Sequence, residues 1–174
     1  MLEGLQPSDW DGHRSRICRT GHGAEVELAS AVGSRLLPLG DFITGVRQTA
    51  LEAGEMVTGL RIPAQPEGAR GHFAKLGSRN YLVISIAMVA VVLRLDAGGR
   101  FDVARIAVGA CSPVAQRLVA LEEALIGTAP GELAIAPGHL APLSPIDDVR
   151  GSAGYRLEAV AEMIARLLKE ASHG

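Results

Sequence analysis

Residues 84–111 read ISIAMVAVVLRL (84–95), DAGGR (96–100) and FDVARIAVGAC (101–111), and they carry the strongest structural signal in the sequence. The first segment is almost wholly apolar and rich in β-branched residues, which is typical of a strand buried on both faces. The Gly-Gly pair that follows predicts a tight turn, so the third segment should return antiparallel to the first. The sequence therefore predicts a buried β-hairpin at the centre of the fold.

Further elements are predicted on both sides of this hairpin. Gly71–Leu76 is expected to add a strand to the same sheet. Pro113 is expected to open a helix that runs to Leu125 and ends at Gly127. Ser152 is predicted to cap a final helix. The buried stripe of that helix is Leu157, Val160, Ile164, Leu167, Leu168 and Ala171, and its solvated face is Glu158, Glu162 and Arg166. Together these segments predict an α+β fold, an antiparallel three-stranded sheet packed by helices on one side.

A smaller unit is predicted before this domain. Residues 24–29 alternate apolar and polar, and residues 35–39 follow a turn at Gly33-Ser34, which predicts a hairpin. Residues 55–62 are expected to be extended and to end at Pro63, because the residue before a proline avoids the helical region.

Short irregular segments lie within and on both sides of the smaller unit. Asp41 is expected to cap a helical turn within the unit. Residues 63–68 are rich in Pro and Gly and predict a link to the larger domain. Residues 1–23 show no apolar period and are expected to be an irregular lead-in.

Composition excludes several classes of function. Apolar residues make up 48% and charged residues 21%, which is typical of a globular protein. The net charge of −2 gives no basic field for nucleic acid or an anionic membrane. Cys18 and Cys111 lie far apart and the five histidines show no ligand spacing, so no metal site is predicted on this chain. Cys111 is expected to be a small buried apolar residue.

The chain is expected to be cytoplasmic. Its first residues lack the basic and apolar regions of a signal peptide. The most apolar segment, residues 82–95, is interrupted by Ser85 and Arg94 and is shorter than the ~20 residues that cross a bilayer. No membrane association is predicted.

Familiar catalytic and phosphate-binding motifs are absent from the sequence. No G-x-G-x-x-G follows a strand, there is no P-loop, and Ser112 precedes a proline rather than lying in G-x-S-x-G. The Asp147-Asp148 pair is interpreted as a solvated turn, because no calcium-loop pattern surrounds it. The sequence therefore nominates no catalytic residue.

Five motifs do occur in a definite order. They are DFITGVRQTAL (41–51), GEMV (54–57), RIP (61–63), FAKLGSRNYLVISIA (73–87) and RIAVGACSP (105–113). This series resembles the FAD-binding (medium) subunit of the molybdenum hydroxylases, the xanthine dehydrogenase and carbon monoxide dehydrogenase flavoprotein family. The resemblance covers residues 24–174 and only the C-terminal portion of that subunit. It implies a remnant of the FAD-binding subdomain at 24–63 and the flavoprotein C-terminal α+β domain at 69–174.

The resemblance implies a component of a molybdenum-dependent hydroxylase or dehydrogenase. In such enzymes electrons pass from iron–sulfur clusters through FAD to NAD or another acceptor. The implied partners are a large subunit with a molybdenum–pterin centre and a small subunit with iron–sulfur clusters, and self-association is a further option. The glycine-rich loop that cradles the FAD pyrophosphate belongs to the family's N-terminal half, so tight FAD binding by this chain alone is not implied.

The resemblance also implies which residues meet the flavin. A lysine at the position of Lys75 lies near the isoalloxazine ring, where a cation stabilises negative charge near N1 and raises the reduction potential. Met56 and Val57, which follow the glutamate of their motif, imply an apolar wall against the ring, and Arg79 is a weaker candidate. Arg156, in SAGYR (152–156), is interpreted as holding the last helix to the sheet.

Other interpretations of these residues stay open. Lys75 and Arg79 could be rim cations whose stems lie along apolar surface, and Met56 and Val57 could simply fill a strand. The chain could be a truncated paralogue without flavin that serves as a subunit-interaction or structural domain. It could also be an unrelated α+β binding domain. A purified flavoprotein is yellow, whereas a scaffold is colourless.

Overall fold

The computed structural model describes residues 20–79 and 83–171. The prediction for residues 1–19 of the lead-in lies outside the described residues. The strands are β1 (Glu25–Ser30), β2 (Gly33–Pro38), β3 (Ile43–Gly45), β4 (Gln48–Thr49), β5 (Met56–Arg61), β6 (Arg70–Gly77), β7 (Ser85–Leu95), β8 (Phe101–Gly109) and β9 (Gln116–Arg117). The helices are α1 (Leu39–Phe42), α2 (Val119–Leu125) and α3 (Ala153–Glu170), with a 3-10 turn at Pro137–Leu140.

These strands form three antiparallel groups. A small sheet has the order β2–β1–β5, β3 and β4 form a pair, and a large sheet has the order β6–β7–β8–β9. The predicted hairpin is confirmed as β7 and β8, with Val89 opposite Val108 and Val91 opposite Ile106. The architecture is α+β, as predicted.

The two faces of the large sheet are covered by different parts of the chain. On the first face, alternate residues of β7 and β8 join α2 and α3 in the main core, where Val89, Ile106 and Ile164 are fully buried. On the second face, Met88 and Ala107 form a smaller apolar cluster with half-buried Phe73. This face meets the start of the described chain, because a Cβ placed on Gly21 would lie 3.7 Å from the Ala107 Cβ.

The large sheet has one strand more than predicted, and the helix expected from Pro113 starts later. Gln116 and Arg117 pair with β8 as β9, and α2 begins only at Val119. The reason is a side chain: Glu122 accepts a hydrogen bond from the Ile106 amide at 2.8 Å and also binds the Arg117 guanidinium. The Glu122 carboxylate accepts the β8 amide that has no strand partner where β9 stops. Residues 116 and 117 therefore pair with β8 and do not join the helix that the sequence pattern predicts.

The small unit differs from prediction at two points. The β1–β2 turn lies at Ala31 and Val32 rather than at Gly33-Ser34, because the Ser30 hydroxyl accepts from the Val32 amide and donates to the Gly33 carbonyl. Asp41 lies inside α1 and does not cap it, since α1 follows Pro38 without a side-chain cap. The strands predicted over 24–29 and 55–62 are confirmed as β1 and β5.

The last helix follows the sequence pattern closely. The Ser152 hydroxyl accepts a hydrogen bond from the Tyr155 amide at 3.1 Å, which confirms the predicted cap. The buried side of α3 carries Val160, Ile164, Leu167 and Leu168, with Leu157 and Ala171 half-buried beside them. Among the described residues no helix combines the length and apolar character needed to cross a bilayer.

Candidate functional site

Lys75 lies on the second face of the large sheet, away from the helices. It stands opposite Met88 in the β6–β7 register, and Phe73 lies on the same face two residues earlier. The side chain is half-buried. Its neighbours Phe73 and Met88 on this face are apolar, and a charge that is partly buried acts more strongly on a neighbouring anion than it would in bulk water.

Met56 and Val57 open strand β5 at the edge of the small sheet. Their relative exposures are 64% and 46%, so neither fills the strand's core. Glu55 just before them is held in place, because its carboxylate receives a two-pronged hydrogen bond from Arg35 at 2.7 and 2.9 Å. The motif thus presents two apolar side chains outward from a firmly held glutamate.

The Arg35–Glu55 pair was not found by sequence reasoning. The two residues are twenty positions apart and meet because β2 and β5 both flank β1. The Arg35 hydrogen bond, and then the Glu52 amide at 2.8 Å, lower the pKa of Glu55 to about 2. Arg35 also donates to the Ala50 carbonyl at 3.0 Å, which ties down the segment before β5.

Arg79 occupies a bend just after β6 and is exposed. Gly77, two residues before it, lies so close to Val83 that an added Cβ would be 2.6 Å from the Val83 Cγ2. The base of this connection is therefore tightly packed, while Arg79 itself faces solvent. Its exposure agrees with the rim interpretation and leaves its flavin role untested.

The predicted site residues thus fall on two sheets. Met56 and Val57 are neighbours on the small sheet, and Lys75 is on the large one. The second face of the large sheet, which carries Lys75, also carries Arg105, whose Nη1 donates to the His22 carbonyl at 3.3 Å. Lys75 therefore lies on the side of the large sheet toward which the start of the described chain packs.

Arg156 holds the last helix to the sheet, as predicted. It is 2% exposed, and its Nη1 donates to the carbonyls of Ile86 at 2.6 Å and Ala110 at 3.2 Å. Its Nη2 donates to Asp148 Oδ1 at 2.8 Å. The guanidinium therefore joins the start of β7, the end of β8 and the loop before α3.

The interpretation of Asp147 and Asp148 as a solvated turn is confirmed in part, because Asp147 is exposed and Asp148 opens a turn to Gly151, but both carboxylates also have partners. Asp147 accepts a hydrogen bond from the Ala153 amide at 2.6 Å, at the start of α3. Asp148 accepts from Arg150 and Arg156, and its pKa is lowered, first by the backbone amide of Arg150 and then by Arg156. Both carboxylates stabilise the entry to α3.

Cys111 is a buried apolar residue, as predicted. Its relative exposure is 0%, and burial raises the pKa of its thiol to about 11, against the opposing effect of the Arg156 charge. A thiol in that state is a poor nucleophile at neutral pH.

A metal site and a second ligand cleft are the other features to consider within residues 20–79 and 83–171. No group of three or more His, Cys, Asp or Glu side chains there could hold a metal ion. A cleft of about 320 Å³ lies between α2, the loop before the 3-10 turn and α3, lined mostly by Leu, Ile and Ala. That cleft lies on the helical side of the large sheet, opposite Lys75.

Sequence comparison places this architecture in a known family. Residues 72–171 match the CO dehydrogenase flavoprotein C-terminal domain family. The nicotine 6-hydroxylase medium subunit of Paenarthrobacter nicotinovorans is 38% identical over 151 residues, which are 84% of this chain and 51% of that protein. The carbon monoxide dehydrogenase medium chain of Afipia carboxidovorans is 34% identical over 158 residues, or 86% and 52% of the two chains.

Solved structures agree with the sequence comparison. A crystal structure of the Cu,Mo-CO dehydrogenase in its cyanide-inactivated form superposes with a TM-score of 0.79 at 28% identity, covering 95% of this chain and 59% of that one. Quinoline 2-oxidoreductase from Pseudomonas putida 86 gives a TM-score of 0.72 at 27% identity, covering 91% and 55%. The chain spans about half the length of the curated relatives it matches. It therefore belongs to the family of FAD-binding medium subunits of molybdenum hydroxylases and carries their CO dehydrogenase flavoprotein C-terminal domain.

Proposed function

We propose that this chain forms the flavin-facing part of a molybdenum hydroxylase medium subunit. In this role it passes electrons from iron–sulfur clusters on a small subunit through FAD to NAD or another acceptor. A large subunit with the molybdenum–pterin centre completes the complex. Membership of the medium-subunit family supports the general role, and residues 24–63 and 69–174 are proposed as the two parts of the subunit that this chain supplies.

The placement of Lys75 carries the proposal. Bound FAD would supply a two-electron carrier whose reduced ring is negatively charged near N1. Lys75 is half-buried beside Met88, on the face of the sheet toward which the start of the described chain packs. Its ammonium would hold that negative charge and would bind the ring more tightly once the ring is reduced.

The exposed start of β5 fits a second part of the same ring site. Met56 and Val57 offer apolar surface that is not used in the core of the small sheet. Against a flat ring such side chains would exclude water and gain the free energy of apolar burial. Arg35 and Glu55 would hold this wall in place, and Arg79 is proposed as an outlying cation.

The described residues fit the ring end of FAD better than its phosphate end. The N-terminus of α3 would be the natural anion site in a helix of this length. It is already occupied by the Ser152 hydroxyl and the Asp147 carboxylate, and a phosphate would be repelled by the latter. The pyrophosphate contacts are therefore proposed to come from the part of the family's subunit that this chain does not span.

The first test is flavin binding by the purified chain, followed by quenching of flavin fluorescence and by the visible spectrum. Saturable binding with Kd on the order of micromolar is expected, and riboflavin should bind about as tightly as FAD because the phosphates make little contribution. Lys75→Ala should weaken binding of the reduced flavin by about tenfold, as expected for the loss of a charged hydrogen-bond donor. This second affinity is measured without oxygen, by the absorbance of the reduced ring, because reduced flavin hardly fluoresces.

Lys169→Ala is the matched control, because Lys169 is the only other lysine in the sequence and lies on α3. It should leave flavin binding unchanged. An affinity for the reduced flavin that Lys75→Ala does not alter would remove Lys75 from the ring site. Absence of quenching by FAD and by riboflavin alike would contradict the flavin-facing role.

The exposed apolar side chains favour a second candidate function. Residues 32–62 expose Val32, Leu36, Val46, Leu51, Met56, Val57, Leu60 and Ile62. A surface of this kind is typical of an interaction site. A truncated paralogue without flavin would use it to bind partner subunits, and such a protein would be colourless after purification.

A further inference from the structure

Three segments that are distant in sequence meet at one polar contact. The His22 carbonyl accepts a hydrogen bond from Arg105 Nη1 at 3.3 Å and another from Gln65 Nε2 at 3.3 Å. Arg105 Nη1 also donates to Gln65 Oε1 at 3.2 Å. The three groups therefore close a triangle in which each is bonded to the other two.

The triangle joins the small sheet to the large one. His22 lies just before β1, and Gln65 lies between β5 and β6. Both therefore belong to segments that adjoin the small sheet. Arg105 lies in β8, on the second face of the large sheet. The Nη1 of Arg105 would be only 3.8 Å from a Cβ placed on Gly23, so the segment just before β1 passes directly over this side chain.

Few other contacts can set the position of the small sheet. Among residues 20–79 and 83–171, the buried apolar side chains form separate clusters, and none of these clusters draws members from both sheets. A second polar tie is the hydrogen bond from Arg94 Nη1 to the Glu67 carbonyl at 3.1 Å. Since no buried apolar cluster of the described residues spans both sheets, we expect these directed hydrogen bonds to help fix their relative position.

We propose that Arg105, acting through Gln65 and the His22 carbonyl, is a positioning residue for the flavin site. It sets where Met56 and Val57 on the small sheet lie relative to Lys75 on the large sheet. The inference rests on the proposed function, because it concerns two walls of one ring site. A positioning residue of this kind acts on geometry and does not touch the ring.

The test begins with a distance that needs no flavin. Spin labels are placed at Val32→Cys, 97% exposed in the β1–β2 turn, and at Glu158→Cys, on the solvated side of α3, in a Cys18→Ser background. Cys111 is fully buried and should not react. Pulsed electron resonance then gives the distribution of distances between the two units.

Arg105→Gln and Gln65→Ala should each broaden this distribution, whereas Arg100→Gln should not. Arg100 is the matched control, because its hydrogen bonds to Gly127 and Glu132 stay within the larger unit. Gln65→Ala lies in the link and disturbs no core, so it tests the proposal even if Arg105→Gln folds poorly. An unchanged distribution in both variants would overturn the proposal.

Flavin binding supplies the second measurement. Arg105→Gln should weaken binding of riboflavin by about tenfold, because two walls that are no longer held in place must be ordered when the ring binds, and it should not lower the Tm of the large core. A loss of binding without any broadening would show that Arg105 acts otherwise and would overturn the positioning role. If the unaltered chain binds no flavin, the proposed function fails, while the distance measurement still decides whether Arg105 fixes the two sheets.

Discussion

The charge pair of Arg35 and Glu55 shows how one side chain can set the display of its neighbours. The Glu55 side chain is only 11% exposed and is held by two hydrogen bonds from Arg35 and one from the Glu52 amide. Charge-assisted, two-pronged bonds of this type fix geometry more firmly than a single bond does. We expect the position of Met56 and Val57, which follow Glu55 directly, to depend on this pair, although neither Arg35 nor Glu55 is itself a flavin candidate.

The small sheet should lose stability in acid because of Glu55. The pKa of this carboxyl is lowered from 4.5 to about 2 in the folded chain. A carboxyl group whose pKa is lower in the folded chain than in the unfolded chain stabilises the folded state. This stabilisation is fully present above about pH 4.5 and is lost as the pH falls toward 2. NMR signals of the Val26 and Leu28 methyl groups should report this loss, and Glu55→Gln should reduce the pH dependence over that range. Glu158→Gln, on the exposed side of α3, should leave it unchanged.

Arg156 is a buried cation at the start of α3, and the groups around it explain why it is stable there. It lies in the first turn of α3, where the helix dipole opposes a positive charge, and it is almost completely buried. Asp148 and the carbonyls of Ile86 and Ala110 offset that cost. The charged side chain is stable there because it donates hydrogen bonds to three segments of the chain at once.

Removing this guanidinium should be costly for folding. We expect Arg156→Met to lower the free energy of unfolding by about 3–5 kcal/mol, because Asp148 and two buried carbonyls lose their donor. Arg156→Lys should lose less, since it keeps the charge but not the planar fork. Urea unfolding followed by circular dichroism measures both variants. A loss below about 0.5 kcal/mol in Arg156→Met would show that the contacts contribute little.

At the scale of elements, the connection from β6 to β7 is shaped by a close contact. The β6–β7 register shifts between Leu76 and Gly77, and Gly77 then pairs with Ser85. The missing side chain at Gly77 leaves room for Val83. The segment that carries Arg79 is therefore anchored at its base by packing rather than by charge.

Gly77→Ala should destabilise this connection. The new Cβ would lie 2.6 Å from the Val83 Cγ2, and overpacking of that kind costs about 1–3 kcal/mol. Val83→Ala in the same chain should recover part of the loss, because it removes the atom that clashes. Gly40→Ala, in α1 with no atom within 4 Å of its new Cβ, is the control and should be close to neutral. Thermal unfolding compares the unaltered chain with these three variants. Equal losses of stability in Gly77→Ala and Gly40→Ala would contradict the packing argument.

Across the described part of the molecule, the core of the large sheet and that of the small sheet differ greatly in size. The large core packs β7 and β8 against α2 and α3, whereas the small one is built from Ala24, Val26, Leu28, Leu39 and Phe42. So few buried side chains give little stability to a unit standing alone. The small sheet therefore depends on its contacts with the rest of the molecule.

The two cores should respond differently to cavity mutations. Ile164→Ala should lower the free energy of global unfolding by about 2–5 kcal/mol, because Ile164 is fully buried between α3 and the large sheet. Leu28→Ala should instead open β1, β2 and β5 while the large sheet stays protected. Native-state hydrogen exchange distinguishes the two outcomes, and a uniform loss of protection in Leu28→Ala would show that the cores unfold together.

Local pattern in the sequence determined the elements whose signal is strong over a short range. The apolar run of β7, the turn at 96–100 and the Ser152 cap of α3 follow from neighbouring residues, so they were predicted correctly. The ordered motifs also determined the family, because their residue types and spacing are visible without a structure.

The features that depend on distant partners became visible only in the folded chain. Pairing of β9 depends on Glu122 folding back onto β8, and display of Met56 depends on Arg35 reaching across β1. The position of Lys75 on the second face follows from its pairing with Met88 in β7. Each of these results from contacts between segments whose separation in sequence carries no periodic signal, so their energies arise only once the chain has folded.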